Sequence, residues 1–411
     1  MQLRELGRYA DAEIALKEAL AQEPNDAFAL HQLAVCQFHQ TDKRREALET
    51  IGRALALDPN SSEHHILKSF ILSGLSRSKE ALTSARDALA LDPYESGAFA
   101  AEAQAHLQME HWADAERAAR EALALDADSS VAANQLAQAL RLQNKLAENT
   151  EHLSGMLARD PEDPFTHANA GWTALQRGGH REAEEHFREA LRLDPDFDYA
   201  REGLLNSFRA RSPLYRAYLQ YCFLMQRLSG GTRWAVIIGL YIAFRYARSL
   251  TGTAARPYAI AFCVLYLVFV LWVWVAKGVG NFILLWDRFA KYALRPAEKL
   301  EAAFVGGGVL VGLPILFLGI GFDIKPMFVL GAGLVAAAFP LSITFTNEAK
   351  FGRMFFGAIG FGTLAVTLIT LGNSIVTIIP EKTTAAVFVV MLLACGLSTL
   401  LALIPGLRKL R

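Results

Sequence analysis

Several arrangements that carry chemistry are missing from this 411-residue chain, and each absence removes a class of function. There is no HExxH, so a zinc peptidase built on that helix is excluded. No GxxxxGK[ST] loop is present to cradle a nucleotide phosphate. All ten histidines lie before residue 187, which removes Ser–His nucleophilic catalysis from the second half. The four cysteines, Cys36, Cys222, Cys263 and Cys395, form no CxxC pair, so they read as small buried hydrophobes rather than disulfides or metal ligands. His64-His65 and His180/His186 lack partner ligands at useful spacing, and no metal or cofactor is expected. In the apolar second half no acidic residue falls mid-run: Asp287, Glu298, Glu301, Asp323, Glu348 and Glu381 map to connections or edges. No enzyme is expected from such a chain. The start shows no basic segment followed by an apolar stretch, so no secretory signal is visible and the first half is expected in the cytoplasm.

What is present divides in two. Residues 1–208 hold 21 Lys+Arg against 35 Asp+Glu, and residues 209–411 hold 20 against 6. The net charge of zero therefore hides an acidic body and a basic, strongly apolar one. Their compositions suit two solvents, water and lipid.

The acidic part keeps a ruler. Prolines stand at Pro24, Pro59, Pro93, Pro161 and Pro195, with Ala127 filling the remaining mark, at intervals of 35, 34, 34, 34 and 34. Other residues recur in phase. Ala47, Ala81, Ala115 and Ala183 stand twelve before a mark, and Ala54, Ala88, Ala122 and Ala190 stand five before one. The segments 54–59 and 88–93 both read Ala-Leu-Ala-Leu-Asp-Pro. A fixed period near 34 signals a repeat array of helix pairs. Within each unit apolar residues recur at three and four, as in Ala12, Leu16 and Leu20, and Asp-Pro stops the second helix. Small residues in phase suit close helix crossings, and Gly171 with Ala183 and Ala190 fits in the sixth unit. The fifth unit departs, with Asn149 and Met156 in place of Ala. The second carries an extra residue near Lys43–Glu46, expected in its inter-helix turn. By phase Met1 falls inside a repeat, so the first helix shortens to Gln2–Leu6, and either the array starts there or the protein extends upstream.

The period and the phased residues resemble the tetratricopeptide repeat (TPR) family, of the kind anchored in bacterial membranes. The resemblance covers the first half and implies an all-α solenoid over residues 1–210 whose first helices line a groove for peptides or partner proteins. Tyr199–Ala210 would be a lone capping helix. Carried over by phase, the groove shows Phe28, His31, Val35, Phe38 and His39 from unit two, and Glu63, Ile66 and Phe70 from unit three. Units four and five add Gln104, Gln108, Asn134, Gln138 and Arg141. Unit six adds Phe165, Ala168, Trp172, Leu175 and Gln176. Amides can bond an extended backbone and aromatics can seat apolar anchors, while the bland alternative is packing between repeats. The paired Lys and Asn by which some relatives clamp a C-terminal carboxylate are lacking.

Residues 211–232 interleave arginines with aromatics. Arg209, Arg211, Arg216, Arg227 and Arg233 accompany Tyr215, Tyr218, Tyr221 and Phe223. Because an apolar run follows, a helix at the lipid interface is expected rather than a nucleic-acid site. Residues 233–411 carry six apolar stretches: Trp234–Tyr246, Tyr258–Ala276, Ala302–Phe322, Met327–Thr346, Phe355–Ile379 and Ala385–Ile404. With six spans, 15 nearby Lys+Arg fall on the cytoplasmic side and five on the other. With five spans the split is ten to ten, so the positive-inside rule favours six. Asn281–Leu294 alternates aromatic and charged residues as a helix lying on the membrane surface would. Abundant glycines suit tight packing in lipid, and Pro314 and Pro340 are either ordinary kinks or the broken helices of a transporter. Asn373–Ser374 is an adjacent polar pair inside a stretch.

The expected function is a membrane-anchored protein-interaction scaffold whose partners are a protein or peptide and the lipid bilayer of a bacterial inner membrane. A transporter or channel regulated by the solenoid is the alternative.

Overall fold

The computed structural model describes residues 6–228, 230–252, 255–373, 380–402 and 407. Gln2–Glu5, nearly all of the shortened first helix, and Ser374 lie outside the described residues. The chain divides into two units. One is Met1–Arg177 with Glu185–Phe197, and the other is Gly178–Glu184 with Asp198–Arg411.

The first unit is built from helical hairpins in the expected phase. After α1 (Tyr9–Gln22) come α2 (Ala27–His39) and α3 (Arg44–Leu57), then α4 (Ser62–Gly74) and α5 (Ser78–Leu91). They are followed by α6 (Ser96–Gln108) with α7 (Trp112–Leu125), α8 (Ser130–Leu142) with α9 (Leu146–Arg159), and α10 (Pro164–Arg177) with α11 (His180–Leu193). The extra residue of the second hairpin is absorbed by a single 3-10 turn at Thr41–Lys43.

Local chemistry sets each joint. Two residues past each of the first five marks a side-chain acceptor caps the next helix. Asp26 accepts from the Phe28 and Ala29 N–H groups, Asp163 from Phe165 and Thr166, and Ser129 from Ala132. The Asp before each of the last four marks bonds two residues ahead, as Asp92 Oδ1 does with Tyr94 N at 3.0 Å, which is an Asx turn. Inside the hairpins Ser76, Glu110 and Asn144 take positive φ. There the N–H of the following residue closes on the carbonyl five back, for example Lys145 N on Leu140 O at 2.9 Å.

Alanine at the crossings is fully buried: Ala47, Ala54, Ala81, Ala88, Ala115 and Ala122 are each 0% exposed. In the sixth hairpin Gly171 makes room for the Phe187 ring, which a Cβ there would meet at 2.7 Å. Asn149 does not loosen the fifth. It is 0% exposed and its Nδ2 donates to Thr173 Oγ1 at 2.9 Å, while its Oδ1 has no hydrogen-bond partner, so the site is half satisfied.

The second unit continues with α12 (Asp198–Arg209), α13 (Pro213–Arg227), α14 (Gly230–Ser249) and α15 (Arg256–Leu284). A turn, α16 (Ala290–Ala293), and α17 (Pro296–Glu301) lead through a π-helical segment, Ala302–Gly306, into α18 (Gly307–Gly321). The last are α19 (Lys325–Thr346), α20 (Lys350–Asn373) and α21 (Glu381–Leu401).

Four expectations shift here. Among the described residues five helices are long and apolar enough to cross a membrane: Arg256–Leu284, Pro296–Gly321, Lys325–Thr346, Lys350–Asn373 and Lys382–Thr399. The first of the six expected stretches lies in the 20-residue α14, whose Arg233, Arg245 and Arg248 dilute its apolarity. Asn281–Leu294 is not one helix, because Asn281–Leu284 end α15 and Asp287 then caps a new turn by accepting from Phe289 and Ala290 N–H. The segment 198–209 groups with the second unit rather than capping the array. Finally, α18 and α19 run helical through Pro314 and Pro340, so neither proline breaks its helix.

Candidate protein-binding face

Within the first unit the first helices of successive hairpins lie side by side, α2 on α4, α4 on α6, α6 on α8 and α8 on α10. That contact creates a continuous layer with one repeating register. Eleven residues past each mark stand Val35, Phe70, Gln104, Gln138 and Trp172, and every one is half-buried. The residues on either side of this row turn inward, as Ala34, Ala103, Ala137 and Thr173 do. A half-buried row across five hairpins is held rigid at its base and open to a ligand at its tips.

Other expected residues join it unequally. Phe38 and Val35 pack against the Leu30–Ala34–Ile51 core, and Phe70 against Ala100, Ala122 and Ala132. Ile66 is half-buried beside Gly97, and the His31 and His64 rings stand 5.2 Å apart. Trp172 meets Phe187 edge-on at 5.5 Å. At the rim Phe28 is 57% exposed, and Phe165, 54% exposed, leans on Phe197 at 4.6 Å.

The amides are more committed than the sequence suggests. Asn134 donates to Asp163 Oδ2 at 3.0 Å and accepts from Asn169 Nδ2 at 2.8 Å. Gln104 accepts from Gln135 Nε2 at 3.3 Å. Arg141 and Gln176 are buried, and Gln176 Nε2 donates to Arg141 O at 3.2 Å. Gln108 does the same for Ser73 O at 2.9 Å, each glutamine satisfying a helix-end carbonyl of the hairpin before it. Gln138, Val35 and Phe70 carry no inter-hairpin side-chain hydrogen bond of this kind. Sequence reasoning missed Asp163, Asn169 and Phe197, whose contacts cross from one hairpin to the next and leave no local signal.

Two buried carboxylates tie hairpin to hairpin. Burial pushes the Glu13 carboxyl up, but Lys17, Lys43 and Gln40 outweigh it and bring it down to about 2. Glu116 is held low in the same way, against its burial, by Lys145, Arg120 and Gln143.

The second unit contains a buried polar cluster that the sequence reading placed elsewhere. Arg209 and Tyr215 do not face lipid. The Arg209 side chain is 0% exposed, and its guanidinium donates to Asn281 Oδ1 at 2.7 and 3.0 Å, to Asn206 Oδ1 at 3.1 Å and to Glu202 Oε1 at 3.2 Å. Burial works against its charge, yet the facing Tyr215 and Glu202 raise its pKa further. Tyr215 Oη donates to Asn206, and Asn281 Nδ2 donates to Glu301 Oε2 at 3.3 Å. Glu301 is only 3% exposed, and its Oε1 has no hydrogen-bond partner. Trp286, Phe289 and Tyr292 beyond α15 are strongly exposed, as interfacial aromatics are.

Residues 3–69, 100–164 and 166–197 each match the tetratricopeptide repeat family. Among solved structures, a thermophilic TPR protein of Thermus thermophilus is 17% identical with a TM-score of 0.41, over 44% of this chain and 98% of that one. PilF of Pseudomonas aeruginosa is 21% identical with a TM-score of 0.39, over 49% and 91%. YrrB, titled a TPR protein with an unusual peptide-binding site, is 20% identical with a TM-score of 0.32, over 45% and 95%. No curated protein matches the chain. With the family matched on three segments and the hairpin register continuous between them, residues 6–197 form a tetratricopeptide repeat array.

Proposed function

We propose that this protein is a membrane-anchored interaction scaffold whose repeat face recruits a protein or peptide to the bilayer. The observation that carries the reading is the half-buried row Val35, Phe70, Gln104, Gln138 and Trp172. It offers apolar anchors at both ends and amides between them, which suits an extended or helical segment bearing apolar side chains at its ends. The five apolar helices support anchoring, and the repeat array is proposed on the cytoplasmic side of a bacterial inner membrane, which the six-span charge count favours and the even five-span count does not. Nucleic acid is not the expected partner, because the repeat half is acidic.

Photo-crosslinking in native membranes tests this directly. A crosslinker at Gln138 should join a protein partner, and one at exposed Glu121 on a second helix should not. Equal crosslinking from both positions, or none from Gln138, would remove the reading.

A transporter regulated by its repeats is the second reading, and the buried Glu301–Asn281–Arg209 cluster favours it, since ionisable groups within apolar helices often serve transport. Solute flux in liposomes carrying the full chain, abolished by Glu301→Gln, would support that reading over the scaffold.

A further inference from the structure

The turn of the fourth hairpin differs from its counterparts in one chemical respect. Position 106 is Leu72 in the hairpin before and Leu140 in the one after, both buried apolar side chains. In the fourth it is His106, 4% exposed, and neither ring nitrogen has a hydrogen-bond partner. Nε2 has Glu102 Oε1 at 3.4 Å beside it, but a buried Nδ1 with an unmade bond is costly unless something occupies it. Opposite it, other hairpins set a basic residue and, three on, an acid. Arg8 pairs with Asp11 at 2.7 Å and Arg77 with Glu80 at 2.6 Å. The fourth hairpin has His111 and Asp114 in those places.

The turn brings the three together. Glu110 takes φ of 61°, and His111 N closes on His106 O at 3.0 Å, folding His111 back over the end of α6. The His106 and His111 rings lie 5.8 Å apart, and the ligand atoms of His106, His111 and Asp114 all fall within 4.8 Å of one another.

We propose that His106, His111 and Asp114 form a binding site for a divalent transition-metal ion, of which zinc is the type. Two imidazoles and one carboxylate favour zinc, cobalt or nickel over calcium or magnesium, which prefer an all-oxygen shell. Tetrahedral binding at ordinary bond lengths needs ligand atoms about 3.3 Å apart. His111 and Asp114 are exposed at the start of α7 and can rotate to close that gap. Glu102 Oε1 lies 3.4 Å from His106 Nε2 and can accept its N–H when Nδ1 takes the metal. A carboxylate behind a ligating histidine fixes the ring and strengthens the bond. Three protein ligands leave a fourth position for water or for a side chain of a docked partner. The ion would pin the α6–α7 turn at the edge of the binding layer. Residue spacing alone hides this set, because the ligand geometry depends on the turn.

The test is a metal titration of the chelator-stripped full chain in detergent micelles. One equivalent of Co2+ should give the visible d–d bands of a low-symmetry site, bleached by Zn2+, and Zn2+ should raise the melting midpoint. His111→Ala and Asp114→Asn should each weaken binding at least about tenfold. His106→Leu installs the residue that the neighbouring hairpins carry, so the hairpin should stay folded while the bands disappear. His152→Ala should change nothing. Absence of saturable Co2+ uptake, or uptake indifferent to His111→Ala and His106→Leu, would overturn the site. In that case His106 is a core histidine balanced by Glu102 alone.

Discussion

The two units solve close helix packing with different residues. In the repeat array the crossings are alanine, buried to 0% at Ala81, Ala88, Ala115 and Ala122. In the apolar unit they are glycine. A Cβ on Gly331 would meet Leu316 Cα at 2.6 Å, and one on Gly319 would meet Phe328 Cα at 2.8 Å, so α18 and α19 approach backbone to backbone at two levels. The solvent explains the contrast. In water, removing a methyl from contact with solvent is itself favourable, and alanine also favours the helix. Between apolar helices in lipid there is no such gain, and association rests on van der Waals contact at the closest approach. A buried polar group is likewise treated differently. The array buries Asn149 singly with one bond, from its Nδ2 to Thr173, whereas the second unit collects Arg209, Glu202, Asn281 and Glu301 into one bonded group.

That contrast can be broken, most forcefully at the cluster. Arg209→Leu takes the guanidinium away from Asn281 and Glu202 and should cost about 3–5 kcal/mol, seen as a large fall in melting midpoint of the detergent-solubilised chain. Gly331→Ala should cost about 1–3 kcal/mol by forcing α18 from α19. The reciprocal change, Ala88→Gly in the array, should cost about 1 kcal/mol from helix propensity. Equal losses at Gly331 and Ala88 would mean that the two units pack by the same rule.

Acid sharpens the comparison within the array. Glu13 and Glu116 have pKa values below the ordinary carboxylate value of 4.5, Glu13 down to about 2. Their contribution to stability is therefore full above pH 4.5 and is lost as pH falls toward 2. Glu13→Gln should flatten the pH dependence of helix loss by circular dichroism in that window. The smallest effect is expected from Asn149→Ala, which restores the repeat's usual residue, within about 1 kcal/mol of the parent.

Much of the array was legible because its determinants are local. Asp before five of the six marks, a capping residue two after five of them, and alanines in phase are set by spacing along one helix or turn. The face was legible only by row. Phase picked out Val35, Phe70, Gln138 and Trp172 with the rest, but it could not tell them from Arg141, Gln176 and Asn134. Asn134 is engaged by the hairpin after it, and Gln176 by the Arg141 carbonyl of the hairpin before it, 29 to 35 residues away in sequence. The arginine-rich junction misled for the same reason. Arg209 and Tyr215 look interfacial beside an apolar run, yet their partner Asn281 lies 72 residues from Arg209.

By itself the sequence determined the helical period, the joints and the division into an acidic array and an apolar remainder, since each follows from neighbours within about a turn of one another. Tertiary structure decided which polar side chains are consumed in holding the molecule together and which remain for a partner. That choice depends on hydrogen bonds between segments distant in the chain, and the cost of leaving a buried polar group unpaired enforces it.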